Sequence, residues 1–248
     1  MKSVLIANWK MNPETFREAR RLFDATRAAL DTAKGVSLIV APPVIFLREL
    51  SSSYKGKKIG FALQNAHFEK NGAFTGETSL SQGKDAKVSA VIIGHAERRA
   101  MGETNEETRA KINAALSQKI TPILCIGEHA RSGSGEHFAF VKEQIKVALQ
   151  DVLPAQLSRI MVAYEPIWAI GATQAMNPTQ MHEMAIFIRK TIVEMRGEKG
   201  MSCKILYGGS IDETNAREML EEGDVEGFIV GRASADAEKI TSLIRSLA

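Results

Sequence analysis

The feature that most constrains the fold is an eightfold alternation of short apolar runs with longer segments of helical periodicity. Each run is rich in β-branched or other apolar residues and is short, which is typical of a strand. The runs begin roughly 32 residues apart on average, which is the size of one βα unit. The eight predicted strands are residues 4–10, 38–41, 59–65, 90–94, 122–127, 160–165, 204–208 and 226–231.

The segments between these strands carry the signals of amphipathic helix ends. We predict one helix that opens at Pro13-Glu14, and another that has Asn177 as its N-cap and Pro178 at its first helical position. The first helix places four apolar side chains on one face: Phe16, Ala19, Leu22 and Phe23. Helices of this kind can cover a sheet.

The arrangement favours one fold class over another. Residues 160–163 are all apolar, which suits a parallel strand buried on both faces. Eight βα units in 248 residues, without a linker rich in Pro, Gly or Ser, favour an α/β fold. We expect a closed (β/α)8 barrel that forms a single domain over residues 1–248. An open doubly wound sheet is the structural alternative, although neither GxGxxG nor GxxxxGK[ST] follows a strand.

Composition excludes several classes of protein. The chain is 44% hydrophobic and 25% charged, within the range of globular proteins. Its longest apolar stretch, residues 36–47, is interrupted and too short to span a membrane, and residues 4–7 are too short for a signal peptide. Cys125 and Cys203 lie far apart in the sequence, and this spacing argues against both a disulfide scaffold and a zinc site.

The net charge of +3 is small for a chain of this size. Its one notable basic cluster, Lys55, Lys57 and Lys58, is interpreted as a solvated edge, as short charge runs usually are. We therefore expect a cytosolic protein that binds neither nucleic acid nor a membrane.

Polar residues concentrate where the predicted strands end, and in such a barrel the active site lies at those ends. They are Asn8 and Lys10 after strand 1, Gln64-Asn65 after strand 3, His95 and Glu97 after strand 4, Glu128 after strand 5 and Glu165 after strand 6. Because Lys10 alternates with Asn8, we expect both side chains to point to the same side. One end of the barrel then carries a cation, an imidazole and several carboxylates.

Some of these residues also have a purely structural interpretation. A histidine after a strand is more often a hydrogen-bonding group than a catalyst, but His95 opens a helix whose N-terminus disfavours the imidazolium. Glu97, Arg98 and Arg99 also fit the pattern of first-turn charges of that helix, Arg98 and Arg99 in particular. Glu128 is interpreted as a supporting or capping group, and Cys125 as a core residue.

Glu165 is the strongest candidate for a general base. It ends a strand and is followed by Pro166 and the apolar residues 167–170, which would desolvate the carboxylate and make it a stronger base. Residues 166–176 form an apolar loop, and loops of this kind are usually lids.

The last two strands end in glycine-rich turns, Gly208-Gly209-Ser210 and Gly231-Arg232-Ala233-Ser234. Glycines let backbone N–H groups approach an anion, and a helix that follows presents its positive end. We predict a phosphate site there. We expect Arg232 to have a negative φ, because Ala233 and Ser234 continue into a helix.

Together these residues resemble the triosephosphate isomerase family, and the matching motifs span the chain in the family order. They are residues 8–12 (NWKMN), 64–65 (QN), 72–77 (GAFTGE), 94–99 (GHAERR), 125–128 (CIGE), 164–171 (YEPIWAIG) and 207–210 (YGGS). The resemblance implies interconversion of dihydroxyacetone phosphate and glyceraldehyde 3-phosphate through an enediolate, without a cofactor or metal.

The resemblance also implies residue roles. Glu165 would be the base, His95 the neutral electrophile, Lys10 the positive charge, Asn8 a hydrogen-bonding group and Glu97 a supporting carboxylate. The backbone N–H groups of Gly171, Ser210, Gly231 and Arg232 would bind the phosphate, and Tyr207 and Ser210 would bind the closed lid.

Assembly is implied by loop 65–77, which is long and polar and carries Phe74 and Thr75 near its tip. A loop of this size in a compact barrel needs a docking site. In the family it inserts beside the active site of a second subunit, so we expect a homodimer with Thr75 near the neighbouring site.

Three departures from the family pattern are Ala96 in place of a helix-capping serine, residues 172–174 (ATQ) at the lid end, and Arg232 in place of a glycine. Two alternatives to the isomerase remain: another barrel enzyme acting on a phosphorylated substrate, and a phosphate-binding barrel without catalysis.

Overall fold

The computed structural model describes residues 3–131, 133–170 and 175–248. In it, eight parallel strands form a closed barrel in sequence order. The strands are β1 Ser3–Asn8, β2 Val36–Ala41, β3 Ile59–Leu63, β4 Ala90–Ile93, β5 Thr121–Ile126, β6 Met161–Tyr164, β7 Lys204–Tyr207 and β8 Gly227–Val230. Pairing of Val4 with Gly227 through Ala7 with Val230 joins β1 to β8. The predicted (β/α)8 barrel is confirmed, and the open sheet is wrong.

Helices alternate with the strands on the outside of the barrel. Those in the described residues are α1 Phe16–Thr32, α2 Val44–Ser53, α3 Leu80–Asp85, α4 Ala96–Ala100, α5 Asn105–Ser117, α6 Glu136–Ala148, α7 Pro178–Arg196, α8 Ala216–Glu222 and α9 Ala237–Ser246. Short 3₁₀ turns occur at Pro154–Arg159, Ile167–Ala169, Glu198–Ser202 and Arg232–Ala235.

Helix starts follow their capping residues. α7 begins as predicted, with the Asn177 side chain accepting a hydrogen bond from the Thr179 N–H at 2.8 Å. The predicted start of α1 at Pro13-Glu14 is wrong. Thr15 is its N-cap and forms a reciprocal capping box with Glu18, so α1 begins at Phe16.

Most strands end one or two residues before the predicted positions. β1 ends at Asn8 instead of residue 10, and β4 ends at Ile93 instead of residue 94. Lys10 and Gly94 have φ values of 54° and 72°, a left-handed backbone that cannot continue a strand. The polar residues that follow Asn8 and Ile93 therefore lie in loops beyond the strand ends and not in the sheet.

The core has two layers because successive strand residues point to opposite faces. In β1, Val4 and Ile6 fill the barrel interior, whereas Leu5 and Ala7 pack between the sheet and the helices. Cys125 belongs to the interior cluster, as predicted, and both Cys125 and Cys203 are buried free thiols. Within the described ranges, no helix is both long and apolar enough to cross a membrane.

Candidate active site

A cavity of about 280 Å³ opens at the C-terminal ends of the strands. It brings together eight of the nine site residues predicted from the sequence: Asn8, Lys10, His95, Glu97, Glu165, Ser210, Gly231 and Arg232. The ninth, Gly171, lies outside the described residues, as do residues 172–174 at the lid end. Segments following β1, β4, β6, β7 and β8 all reach this cavity.

Lys10 reaches the cavity by a route that the sequence did not indicate. The prediction that Lys10 faces the site because it alternates with Asn8 along a strand is wrong. Lys10 lies beyond β1 and has a left-handed backbone. The Asn8 side chain accepts a hydrogen bond from the Lys10 N–H at 3.2 Å. Gln64 Nε2 donates to the carbonyls of Lys10 and Ala41, both at 2.8 Å. Gln64 therefore holds the strained turn, and the sequence signalled it only as a polar strand end.

The Lys10 ammonium forms an ion pair with Glu97, with 2.7 Å between Nζ and Oε1. Burial by itself raises the pKa of Glu97, but the hydrogen bond and charge of Lys10 outweigh burial and lower that pKa below its ordinary value. Glu97 therefore stays anionic and holds the ammonium in the cavity.

His95 is the N-cap of α4, which corrects the expectation that residue 96 occupies the capping position. Its Nδ1 accepts a hydrogen bond from the Glu97 N–H at 3.2 Å. A ring nitrogen that accepts a hydrogen bond carries no proton, so the proton of the neutral imidazole is on Nε2. Nε2 lies 3.4 Å from Oε1 of Glu165 and faces the cavity.

Glu165 follows β6 and is only 3% exposed. Its backbone N–H donates to the carbonyl of Ile126 at 2.7 Å, which fixes the residue beside β5. The Ala96 N–H lies 3.5 Å from Oε2, a long contact. The carboxylate is thus buried with few strong hydrogen-bond donors, an environment suited to a base that must accept a proton.

Two glycines make room for Glu165. A Cβ at Gly127 would lie 1.9 Å from the Glu165 carbonyl oxygen, and a Cβ at Gly208 would lie 2.5 Å from its Cγ. Both distances are too short for any side chain, so glycine is required where the ends of β5 and β7 meet Glu165.

The segment of residues 166–176 is held by hydrogen bonds at both of its described ends. At the first end, Trp168 Nε1 donates to Glu128 at 3.0 Å, and the Tyr164 hydroxyl donates to the same carboxylate at 2.8 Å. At the second end, the Met176 N–H donates to the Tyr207 hydroxyl at 2.9 Å. Burial raises the pKa of Tyr207 to about 12, so this hydroxyl stays neutral. Glu128 therefore joins Trp168 to the end of β6.

The glycine-rich turns after β7 and β8 also line the cavity, with Gly208 beside Glu165 and Gly231 beside Lys10. The helix that follows the first turn, α8, begins at Ala216, several residues after Ser210. After β8, the 3₁₀ turn Arg232–Ala235 starts at once, and Arg232 has no positive φ, as expected. Ser234, the last residue of the second glycine-rich turn, donates from its hydroxyl to carbonyls at the ends of β1 and β8.

The cavity therefore combines a buried carboxylate, an imidazole and an ammonium group with glycine-rich turns. This combination can move a proton on a small anionic substrate while stabilising negative charge that develops on oxygen. In the part of the chain that the structure describes, no group of three or more His, Cys, Asp or Glu residues is arranged to hold a metal ion.

Comparison with known proteins agrees with the geometry. The family model described as triosephosphate isomerase matches residues 3–247. The triosephosphate isomerase of Endomicrobium trichonymphae is 38% identical over 246 residues, covering 98% of each chain. That of Lactiplantibacillus plantarum is 38% identical over 248 residues, again covering 98% of each chain.

Proposed function

The chain belongs to the triosephosphate isomerase family, an isomerase family, and from that premise we propose how its own residues perform the reaction. Glyceraldehyde 3-phosphate and dihydroxyacetone phosphate interconvert through an enediolate. Glu165 removes a proton from one substrate carbon and returns it to the neighbouring carbon. His95 donates from Nε2 to the carbonyl oxygen, which becomes negatively charged in the enediolate.

The observation that carries this assignment is the approach of His95 Nε2 to Glu165 Oε1 at 3.4 Å on one cavity wall. A donor and a base this close can address adjacent substrate atoms at the same time. The Nδ1 contact with the helix N–H supports the neutral imidazole, which donates without carrying a charge.

Lys10 supplies the positive charge that attracts the oxyanion and the phosphate, while Asn8 and Glu97 hold it in place. The phosphate is bound by backbone N–H groups of Ser210, Gly231 and Arg232, and Gly171 completes this set. Each preorganised donor of this type contributes about 10² to 10³ in rate at comparable oxyanion sites.

The lid, residues 166–176, excludes water from the enediolate. Without it, the intermediate can eliminate its phosphate, so closure protects the reaction as well as desolvating Glu165. The contacts of Trp168 with Glu128 and of Met176 with Tyr207 support this role.

The test is a coupled assay that follows conversion of glyceraldehyde 3-phosphate to dihydroxyacetone phosphate. Turnover by the purified chain is expected. Turnover of a different phosphorylated sugar in its place would favour the alternative of another barrel enzyme that acts on a phosphorylated substrate. Phosphate binding without turnover would favour the alternative of a phosphate-binding barrel without catalysis.

We also propose a cytosolic homodimer that uses loop 65–77. Large apolar side chains are exposed after four neighbouring strands on one side of the barrel: Met11, Val44, Ile45, Phe74 and Met101. Exposed apolar residues grouped in this way indicate a protein interface. Phe74 packs on His67 with ring centroids 4.0 Å apart, and Thr75 is exposed beside it, so the loop tip is preformed for docking.

Deleting the loop tip, residues 71–76, is expected to give a monomer with greatly reduced activity, because Thr75 can no longer reach the neighbouring site. Sedimentation velocity and the coupled assay measure the two effects. An active monomer of the unaltered chain at micromolar concentration would overturn the proposal, as would full activity after the deletion.

Arg232→Gly is expected to change KM by no more than several-fold and to keep kcat. The backbone N–H remains in place, and the side chain is exposed. Steady-state kinetics measures both constants. A hundredfold loss of kcat/KM, about 2.7 kcal/mol, would instead place the guanidinium in the phosphate site.

A further inference from the structure

Arg99, in the last turn of α4, has its guanidinium turned into the protein. Its Nε donates to the carbonyl of Gly94 at 2.7 Å, and its Nη2 donates to the carbonyl of Cys125 at 3.3 Å. Its third contact is from Nη1 to Asn105 Oδ1 at 2.7 Å. Arg99 is therefore not a solvated first-turn charge, because one planar group joins the ends of β4 and β5.

The β4 contact acts on the residue that precedes His95. Gly94 has a φ of 72°, its N–H donates to Glu103 Oε1 at 2.9 Å, and its carbonyl accepts from Arg99. An anion and a cation thus hold opposite sides of one glycine through charge-assisted hydrogen bonds. The peptide plane between residues 94 and 95 is fixed, and the direction in which His95 leaves the strand is fixed with it.

The β5 contact acts on the neighbourhood of Glu165. The Cys125 side chain lies against the Glu165 carboxylate, and burial, together with the charge and hydrogen bond of Glu165, raises the pKa of that thiol. Burial lowers the pKa of Arg99, while Cys125 and the carboxylates of Glu103 and Glu165 act in the opposite direction. Arg99 and Glu165 also border the same narrow gap beside Ala96. The cation therefore lies close enough to Glu165 to attract its carboxylate.

We propose that Arg99 is a positioning residue that sets the separation of His95 and Glu165 by tying the ends of β4 and β5 together. This inference rests on the proposed isomerase reaction. The two reacting groups lie 3.4 Å apart, and a displacement of about 1 Å in such an arrangement can cost 10²-fold in rate. The phosphate turns follow β7 and β8, whereas Arg99 joins the ends of β4 and β5, so we expect the chemical step to be affected and phosphate binding to be kept.

The test compares Arg99→Met and Arg99→Lys with Arg196→Met. Arg196 also donates to backbone carbonyls, those of Leu149 and Gln150, but at the opposite end of the barrel. We expect Arg99→Met to lower kcat at least tenfold while the Kd for inorganic phosphate stays within twofold. Arg99→Lys keeps the charge but not the planar fork, so its kcat should be intermediate. Arg196→Met should lower the melting temperature and leave kcat within twofold.

Two outcomes would overturn the role of Arg99. The first is a kcat within twofold of the parent in Arg99→Lys or in a folded Arg99→Met. The second is a loss of kcat in Arg196→Met as large as that in Arg99→Met. If Arg99→Met does not fold, Arg99→Lys decides. A second measurement is independent of turnover: the imidazole ¹⁵N shifts of His95 without substrate should move in Arg99→Lys, and unchanged shifts contradict the proposal. An inactive parent would refute the proposed function, while the His95 shifts would still test Arg99.

Discussion

Replacing Glu165 with glutamine is expected to lower kcat by a factor of at least about 10² to 10⁴ while the barrel stays folded. A carboxamide has nearly the same shape as the carboxylate and can still accept the Ala96 N–H, but it cannot take a proton from carbon. Because the phosphate turns are untouched, the Kd for inorganic phosphate should stay within severalfold of the parent. The coupled assay and phosphate titration separate the two effects.

A matched control is Glu226→Gln at the opposite end of the barrel. The Glu226 carboxylate also serves the backbone, accepting from the Ile205 N–H at 2.7 Å, and it pairs with Arg189 at 2.8 Å. Its loss should lower the free energy of unfolding and leave kcat unchanged. Near-normal turnover in Glu165→Gln would remove Glu165 from the chemistry and return it to a packing role.

The architecture was predictable because it depends on local patterns that repeat. Each strand is apolar on successive residues, so the sheet had to be buried on both faces, and the spacing of the strands fitted one βα unit. The observed two-layer core, with Val4 and Leu5 on opposite faces of β1, is the physical result of that pattern. Most errors were at strand ends, where backbone conformation changes within one residue and periodicity carries no information.

The composition of the candidate site was predictable for a related reason. Parallel strands of a barrel all deliver their C-terminal residues to one end, so polar residues such as His95 and Glu165 had to meet there. The contacts that hold these site residues in position were not predictable. Gln64 acts on Lys10 across 54 positions of sequence, and Arg99 joins the ends of two strands through their carbonyl groups. Contacts from a side chain to a distant backbone carbonyl leave no pattern in the sequence.

Replacing Lys10 with alanine is expected to weaken substrate binding and turnover together. The ammonium attracts an anionic substrate before the reaction and the oxyanion during it, so its charge acts in both the ground state and the transition state. Its removal also leaves Glu97, which it now contacts at 2.7 Å, as an unpaired negative charge in the cavity. We expect KM to rise, kcat to fall and kcat/KM to drop by at least about 10² to 10³.

The control for this substitution should lie on the same kind of backbone, because Lys10 has a φ of 54°, a conformation that is equally costly for lysine and alanine since both carry a Cβ. Lys87 has a φ of 61°, is exposed and lies before β4 at the other end of the barrel. Lys87→Ala therefore removes an ammonium group from the same kind of backbone without touching the cavity and should keep normal kinetics. Adding Glu97→Gln to Lys10→Ala should recover part of the lost affinity by removing the unpaired anion. If Lys10→Ala changes only the free energy of unfolding, as Lys87→Ala is expected to do, then Lys10 is a structural residue.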